Sequence, residues 1–365
     1  MTDMPVTPTV PSPAALAAYH GPPAFGWPSA AGRWTFDPAL VVFAALAAAG
    51  YLLALARVRR AGGRWPVART LSFLVPGIGL AVLAGLWWVG VYARVLFWDF
   101  TVQVILLLLV APIFLAFGRP LTLVAAGGGR SGRFVDRVRA SGPFRIASHP
   151  AFGPLLVPVI VCAVYFTGLL AAAQRDAGVA EIIQVALLLT GFVVALPLAG
   201  EDAGTSTTSL AIAGGMFFGV LELLLDAVPG IFVRLRHGLL APGYYASLHR
   251  PWGPSPLNDQ HVGGTILWTV AEVVDLPFLV LLVRRWIKVD AQEAARVDRE
   301  LDALTLAQPA FAASSSADGG TPGAGAAEEA ERTRPWWETD ADYFGGSRAA
   351  QFRRAGAERN PTEPS

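Results

Sequence analysis

The sequence predicts an all-α, polytopic membrane protein of about seven transmembrane helices, and composition and patterning both point there. Of its 365 residues, 54% are hydrophobic and only 15% are charged, and the mean hydropathy is +0.49. A soluble domain carries about 25% charged residues. The apolar excess is too large for a soluble core and excludes a soluble enzyme. It is gathered into seven runs of about 20 residues, the length that spans the hydrocarbon of a bilayer.

Residues 1–38 are rich in Pro, Ala and Thr and nearly uncharged, without the charged start and continuous apolar centre of a signal peptide. They read as a flexible tail. The transmembrane domain, 39–289, follows. Its first expected span is 39–56, then a loop with Arg57, Arg59, Arg60, Arg64 and Arg69. The second is 71–92, ending in Trp87, Trp88 and Tyr92, aromatics suited to a membrane interface. The third, 95–117, leads into a long loop, 118–150, with Arg119, Arg130, Arg133, Arg137, Arg139 and Arg145. The fourth and fifth spans are 151–172 and 180–199, and the sixth is 208–228. A segment rich in Tyr, Pro, Trp and His, 229–263, separates it from the seventh, 264–283.

Residues 290–307 alternate charged and small side chains, as a solvated cytoplasmic helix extending the last span would. Residues 308–365 have disorder composition, broken by Trp336, Trp337, Tyr343 and Phe344.

Basic residues set the expected orientation. The loops 57–70 and 118–150 carry eleven arginines, whereas the opposite loops carry only Arg94, Arg175, Arg234, Arg236 and Arg250. The basic side is cytoplasmic, which puts the N-terminus outside, the C-terminus inside and 229–263 on the outer face. The net charge of +1 gives no electrostatic reason to expect a nucleic-acid partner. The expected surroundings are the lipid bilayer and, through it, other membrane proteins.

Carboxylates inside apolar runs are the costliest groups, at about 2.5–3.5 kcal/mol each near a helix centre. Asp99 and Gln103 are four apart, as are Glu222 and Asp226, and Glu272 and Asp275 are three apart, so each pair shares a helix face. Counted from the outer ends of their spans, most lie about 5 to 12 Å deep, with Asp275 near the mid-plane. Converging faces would make an acidic pocket, raising the carboxyls' proton affinity or holding a cation. They are equally consistent with hydrated interface residues and protonated packing groups.

The five histidines lie outside the spans. His237, His249 and His261 share the outer segment, where a metal site or plain surface histidines are both open. Cys162 is the single cysteine, which rules out a disulfide framework or a two-thiolate metal site within one chain. No nucleophile–base motif, phosphate loop or dinucleotide fingerprint stands in a confirming context, and a non-enzymatic role is expected.

Several segments carry a resemblance. Residues 106–121, LLLLVAPIFLAFGRPL, resemble the third-span signature of the CtaG-type cytochrome c oxidase assembly factors. Tyr244–Tyr245, the run RPWGPSPLNDQHVGG with Asp259, Gln260, Gly263 and Gly264, and then Trp268 and Glu272 resemble the outer loop and last span of actinobacterial members. So does WIKVDAQEAARVDRELD beyond them. The resemblance covers roughly 39–305. It implies a plasma-membrane protein that helps mature a haem–copper oxidase, with oxidase subunits as partners and copper as the one metal implied.

The chain departs from that pattern where the resemblance implies histidines. Phe100 and Val104 flank Gln103 in the third span, residues 180–186 read AEIIQVA, and Gly214–Gly215–Met216 stand in the sixth. Carboxylates are poor Cu(I) ligands. The departure favours a scaffold or altered-cargo role over a copper carrier, and the alternative is a proton- or cation-translocating protein built on the carboxylates.

Overall fold

The computed structural model describes residues 19–149, 152–199 and 209–316, and all regular structure among them is helical. In chain order the helices are α1 (Trp27–Ala31), α2 (Pro38–Arg60), α3 (Val67–Tyr92), α4 (Phe97–Ala126), α5 (Gly129–Arg139) and α6 (Gly142–Ala147). Then come α7 (Phe152–Phe166), α8 (Leu169–Arg175), α9 (Ala177–Ala199), α10 (Ser209–Leu235), α11 (Pro242–Tyr245) and α12 (Pro256–Ser316). The chain divides into two compact units, Met1–Asp290 and Ala291–Ser365. In the second, Arg296 and Glu300 face each other at 3.7 Å as an exposed pair one turn apart.

Among the described residues four helices are long and apolar enough to cross a membrane: α2, α3, α4 and residues Ala177–Leu196 of α9. Helices α7 and α8 meet at a bend of 60° and make a fifth crossing if they count as one broken span. Among the described residues the chain is therefore all-helical, with four to five candidate membrane spans. Helices α10 and α12 run through the sixth and seventh expected spans, but parts of both fall outside the residues whose side chains are described.

Helix α4 is the central element. Its apolar window is 61% buried, against 28–33% for the other three, which leaves their outer faces to lipid. The spans start and bend for local reasons. Asp37 caps α2 by accepting the Leu40 N–H at 2.9 Å, with Pro38 in the first turn where its missing N–H costs nothing. Pro76 sits in a π-helical stretch, Phe73–Ile78, of α3. In α4, Pro112 lacks an N–H, and the preceding turn widens into a π stretch, Leu106–Val110, in which Ala111 N–H bonds back to Leu106 C=O. Helix α9 lies directly on that widened turn. A Cβ on Gly191 would stand 1.9 Å from the Leu108 carbonyl oxygen, so only glycine permits the contact.

Two expected boundaries differ. Residues 19–37, which composition assigns to a flexible tail, pack on the bundle. Phe25 sits among Trp27, Trp88, Tyr92 and Trp98, and Tyr92 Oη and Trp87 Nε1 donate to the Pro23 and Ala31 carbonyls at 3.1 and 2.9 Å. The tail's aromatics bind an interface its composition does not reveal. At the other end, α12 continues past 307, through Pro309, to Ser316. The Trp336 and Tyr343 patches lie outside the described residues.

Candidate functional site

A polar cavity of about 70 Å³ opens where α2 and α9 begin, α3 ends and α4 makes its first turns. That volume holds a few waters or a small polar ligand. Asp37, Arg94, Gln103, Gln174, Glu181 and Gln184 supply its polar lining, with Phe100 and Val104 beside them. Two of its walls are fixed by backbone contacts. Gln103 Nε2 donates to the Ala84 carbonyl at 2.8 Å, in the turn where α3 breaks at Trp87. Gln174 Nε2 donates to the Ala93 carbonyl and to Tyr245 Oη, both at 3.0 Å. Gln184 is buried, and its Oε1 meets no hydrogen-bond donor among the described residues.

Two of the stretches singled out by the resemblance converge here. Phe100, Gln103 and Val104 of α4 face Ala180, Glu181, Ile183 and Gln184 of α9 across the same cavity. The side chains of Gly214–Gly215–Met216 lie outside the described residues. Asp37, Arg94 and Gln174 were not singled out in the sequence. Asp37 was legible as a helix cap, but nothing in the chain marks Arg94 or Gln174.

The carboxylates are distributed rather than gathered. Asp99 is fully buried, with Asp259 as its charged neighbour, and neither of its oxygens hydrogen-bonds to another described residue. Asp226 lines a separate cavity of about 10 Å³ with Val104, Leu108, Pro229 and Leu267, room for about one water. Glu272 is half-buried and accepts from Trp268 Nε1 one turn earlier. Of the acidic-pocket residues whose side chains are described, only Gln103 lines the larger cavity. The Glu222 and Asp275 side chains are outside those described. His249 and His261 each pair with a backbone carbonyl, of Ser247 and Arg236, at 2.8 and 3.0 Å. Among the described residues no group of three or more His, Cys, Asp or Glu side chains could hold a metal ion.

The outer-segment motif acts as one packing device. Asp259 reaches across to the start of α4, where it accepts the N–H groups of Phe97 and Trp98 at 3.1 and 3.2 Å, capping α4 from another helix. The same carboxylate meets Arg250 Nη2 at 3.1 Å, both side chains being almost wholly buried. Arg250 also donates to the Pro254 carbonyl and stacks on Trp252. Burial lifts the Asp259 carboxyl above its ordinary proton affinity, while Arg250 and the two N–H donors pull it back down.

Next in sequence, buried Gln260 accepts from Leu240 N–H at 2.6 Å and donates to the Gly238 carbonyl at 3.2 Å. Gly263 lies against the Phe97 ring, where an added Cβ would come within 2.6 Å. Gly264 lies against the α10 backbone, where a Cβ would stand 2.5 Å from Arg234 N. The four motif residues thus hold the start of α12 to α4, to α10 and to the chain between them.

Known proteins resemble the chain over the region that forms these features. The family model for the cytochrome c oxidase caa3 assembly factor matches residues 49–289. An uncharacterized protein of Mycobacterium leprae is 28% identical over 277 residues. Uncharacterized proteins of Mycobacterium bovis and Mycobacterium tuberculosis are 27% identical over the same length. Each alignment covers 74% of this chain but only 42% of the relative, so the chain corresponds to less than half of those proteins. No solved structure matches significantly. The family model takes in α4, the cavity lining from Gly85 onward and the Asp259–Gly264 motif together, and the chain belongs to the cytochrome c oxidase caa3 assembly factor family.

Proposed function

We propose that this protein is a non-catalytic scaffold for the assembly of a haem–copper oxidase, and that it does not carry copper on a site of its own. The observation behind this reading is the lining of the larger cavity. Phe100 and Val104 stand where the resemblance implies histidines, and the polar side chains around them are amides, carboxylates, the Thr35 hydroxyl and one guanidinium. Copper(I) takes thiolate, thioether or imidazole ligands, none of which lines this cavity among the described residues. The residues present do not fit copper.

In this reading α2 to α12 form a seven-span bundle in the plasma membrane, N-terminus outside and C-terminus inside. The outer segment and its motif then meet oxidase subunits on the outer face. Its aromatic and proline-rich surface, held rigid by the Asp259 and Gln260 contacts, is suited to that docking.

Terminal-oxidase activity in a deletion strain, grown with and without added copper, tests the proposal. Scaffolding predicts a loss that copper does not repair. A loss that copper repairs would restore the copper-delivery role, and unchanged activity would remove the assembly role.

A further inference from the structure

The two basic loops come together at one end of the bundle. Arg57, in the last turn of α2, donates to Ser131 Oγ of α5 at 3.4 Å. Helix α5 is folded back on the end of α4. Arg139 donates to Thr122 at 3.1 Å, an added Cβ on Gly132 would come 3.1 Å from the Ala125 carbonyl, and Val135 is buried. That docking leaves the opposite face of α5 outward, and Arg130, Arg133, Phe134 and Arg137 fall on it at helical spacing. All four are exposed, and Phe134 is 63% accessible. Helix α6, capped by Ser141, likewise exposes Arg145 beside Ile146, itself 64% accessible.

The loops 57–70 and 118–150 contain eleven arginines and one acid, Asp136. No acidic side chain other than Asp136 is therefore available within them to neutralise this end. A helix bathed in water gains nothing by exposing Phe134 among its arginines. One lying at headgroup depth buries the ring in the acyl boundary and sets the guanidiniums among phosphates. The position agrees, because the stripe sits beside the ends of α2 and α4, where the hydrocarbon stops.

We infer that the exposed face of α5, with Arg57 and Arg145 beside it, binds the headgroups of anionic phospholipids in the adjoining leaflet. The arginines supply bidentate phosphate donors, and Phe134 and Ile146 set the depth. This surface is independent of the cavity and of the outer segment, and the oxidase-scaffold reading does not depend on it.

The test uses the full-length protein reconstituted in vesicles of phosphatidylcholine with 30% phosphatidylglycerol. It is then extracted in mild detergent, and native mass spectrometry counts the lipids retained. The wild type should retain phosphatidylglycerol well above its share of the mixture. Each headgroup-facing arginine contributes about fivefold to such association. The triple variant Arg130→Gln, Arg133→Gln, Arg137→Gln should therefore lose at least tenfold of the enrichment. The matching triple lysine variant should keep most of it and serves as the check on folding. Equal enrichment in the glutamine variant would overturn the inference. So would a glutamine variant that keeps its phosphatidylglycerol but no longer co-purifies with oxidase subunits, since the stripe would then be a protein-docking face.

Discussion

Gly264→Ala tests the packing of the outer motif most directly. An added Cβ would stand 2.5 Å from Arg234 N, 2.8 Å from Gly230 O and 2.9 Å from Arg234 Cα. All three are backbone atoms of α10, so no side chain can swing away. The nearest contact falls about 0.9 Å short of the 3.4 Å at which ordinary contact begins, and α10 and α12 must separate by about that much. A gap of this size forfeits roughly a quarter to a half of each dispersion contact along the crossing. Gln260 lies one turn before Gly264. Its 3.2 Å bond to Gly238 O would stretch beyond hydrogen-bonding range, and its 2.6 Å bond from Leu240 N–H would weaken.

Over-packing costs about 1–3 kcal/mol, weakening a buried hydrogen bond adds about 1 kcal/mol, and alanine returns about 0.8–1 kcal/mol of helix propensity, so the variant should lose about 1–3 kcal/mol. Gly50→Ala is the matched control. Gly50 lies within α2 with nothing within 4 Å of its added Cβ, and alanine there gains about 0.8–1 kcal/mol in helix propensity. Unfolding of both purified variants in detergent micelles, followed by circular dichroism, measures the two effects side by side. A Gly264→Ala protein as stable as Gly50→Ala would refute the close crossing of α10 and α12.

Arg250→Met should cost about 3–5 kcal/mol near neutral pH by leaving Asp259 charged and buried without its partner. Loss of Arg250 raises the carboxyl's folded-state pKa further. The stability it contributes is then complete below the ordinary Asp range and falls as pH rises, so the deficit against wild type should shrink on acidification; unfolding titrations from neutral pH downward show whether it does. Gly191→Ala should destabilise by about 1–3 kcal/mol because its Cβ would meet the Leu108 carbonyl at 1.9 Å, which thermal unfolding measures. The double variant Phe100→His, Val104→His should retain copper(I) through dialysis where the wild type does not, as metal analysis would register; equal retention by the wild type would sink the scaffold reading. Gln184→Leu removes a buried acceptor that meets no donor among the described residues and should leave stability unchanged or raise it by about 1 kcal/mol. If the cavity serves assembly, the same variant lowers oxidase activity in a complementation assay.

Much of the helical framework was legible because membrane spans announce themselves by length. Helices α2, α3 and α4 coincide with apolar runs bounded by Asp37–Pro38, by arginines and by short turns. The α7–α8 bend was not legible: the run 151–172 reads as one span, and only the bundle decides that Thr167 and Gly168 interrupt it. The Asp259–Gly264 motif stood out only through the resemblance to CtaG-type members, and its partners lie about 20 residues away at Leu240 and about 160 away at Phe97. A single chain carries no periodic signal for contacts that long. The acidic pairs show the converse. Helical spacing placed Asp99 and Gln103 on neighbouring turns, but which face meets which neighbour depends on rotation about α4, and that is set by packing. The cavity is the extreme case, since Asp37, Gln103 and Gln184 become neighbours only once three helix ends meet.

The outer motif and the cavity are mechanically joined. Tyr244 Oη donates to the Arg94 carbonyl at 2.7 Å, and Tyr245 Oη accepts from Gln174 at 3.0 Å, so neighbouring side chains of α11 grip two walls of the cavity. Asp259 holds the start of α4, and one to two turns further along, Phe100, Gln103 and Val104 form the third wall. Tyr245 is fully enclosed, and burial drives its hydroxyl far above the ordinary tyrosine range, so it stays protonated at neutral pH. Any load that tilts α11 or shifts Asp259 therefore reaches Arg94, Gln174 and the first turns of α4 through hydrogen bonds already in place. Under the proposed scaffold reading, a subunit docking on residues 229–263 would act on the cavity without entering it.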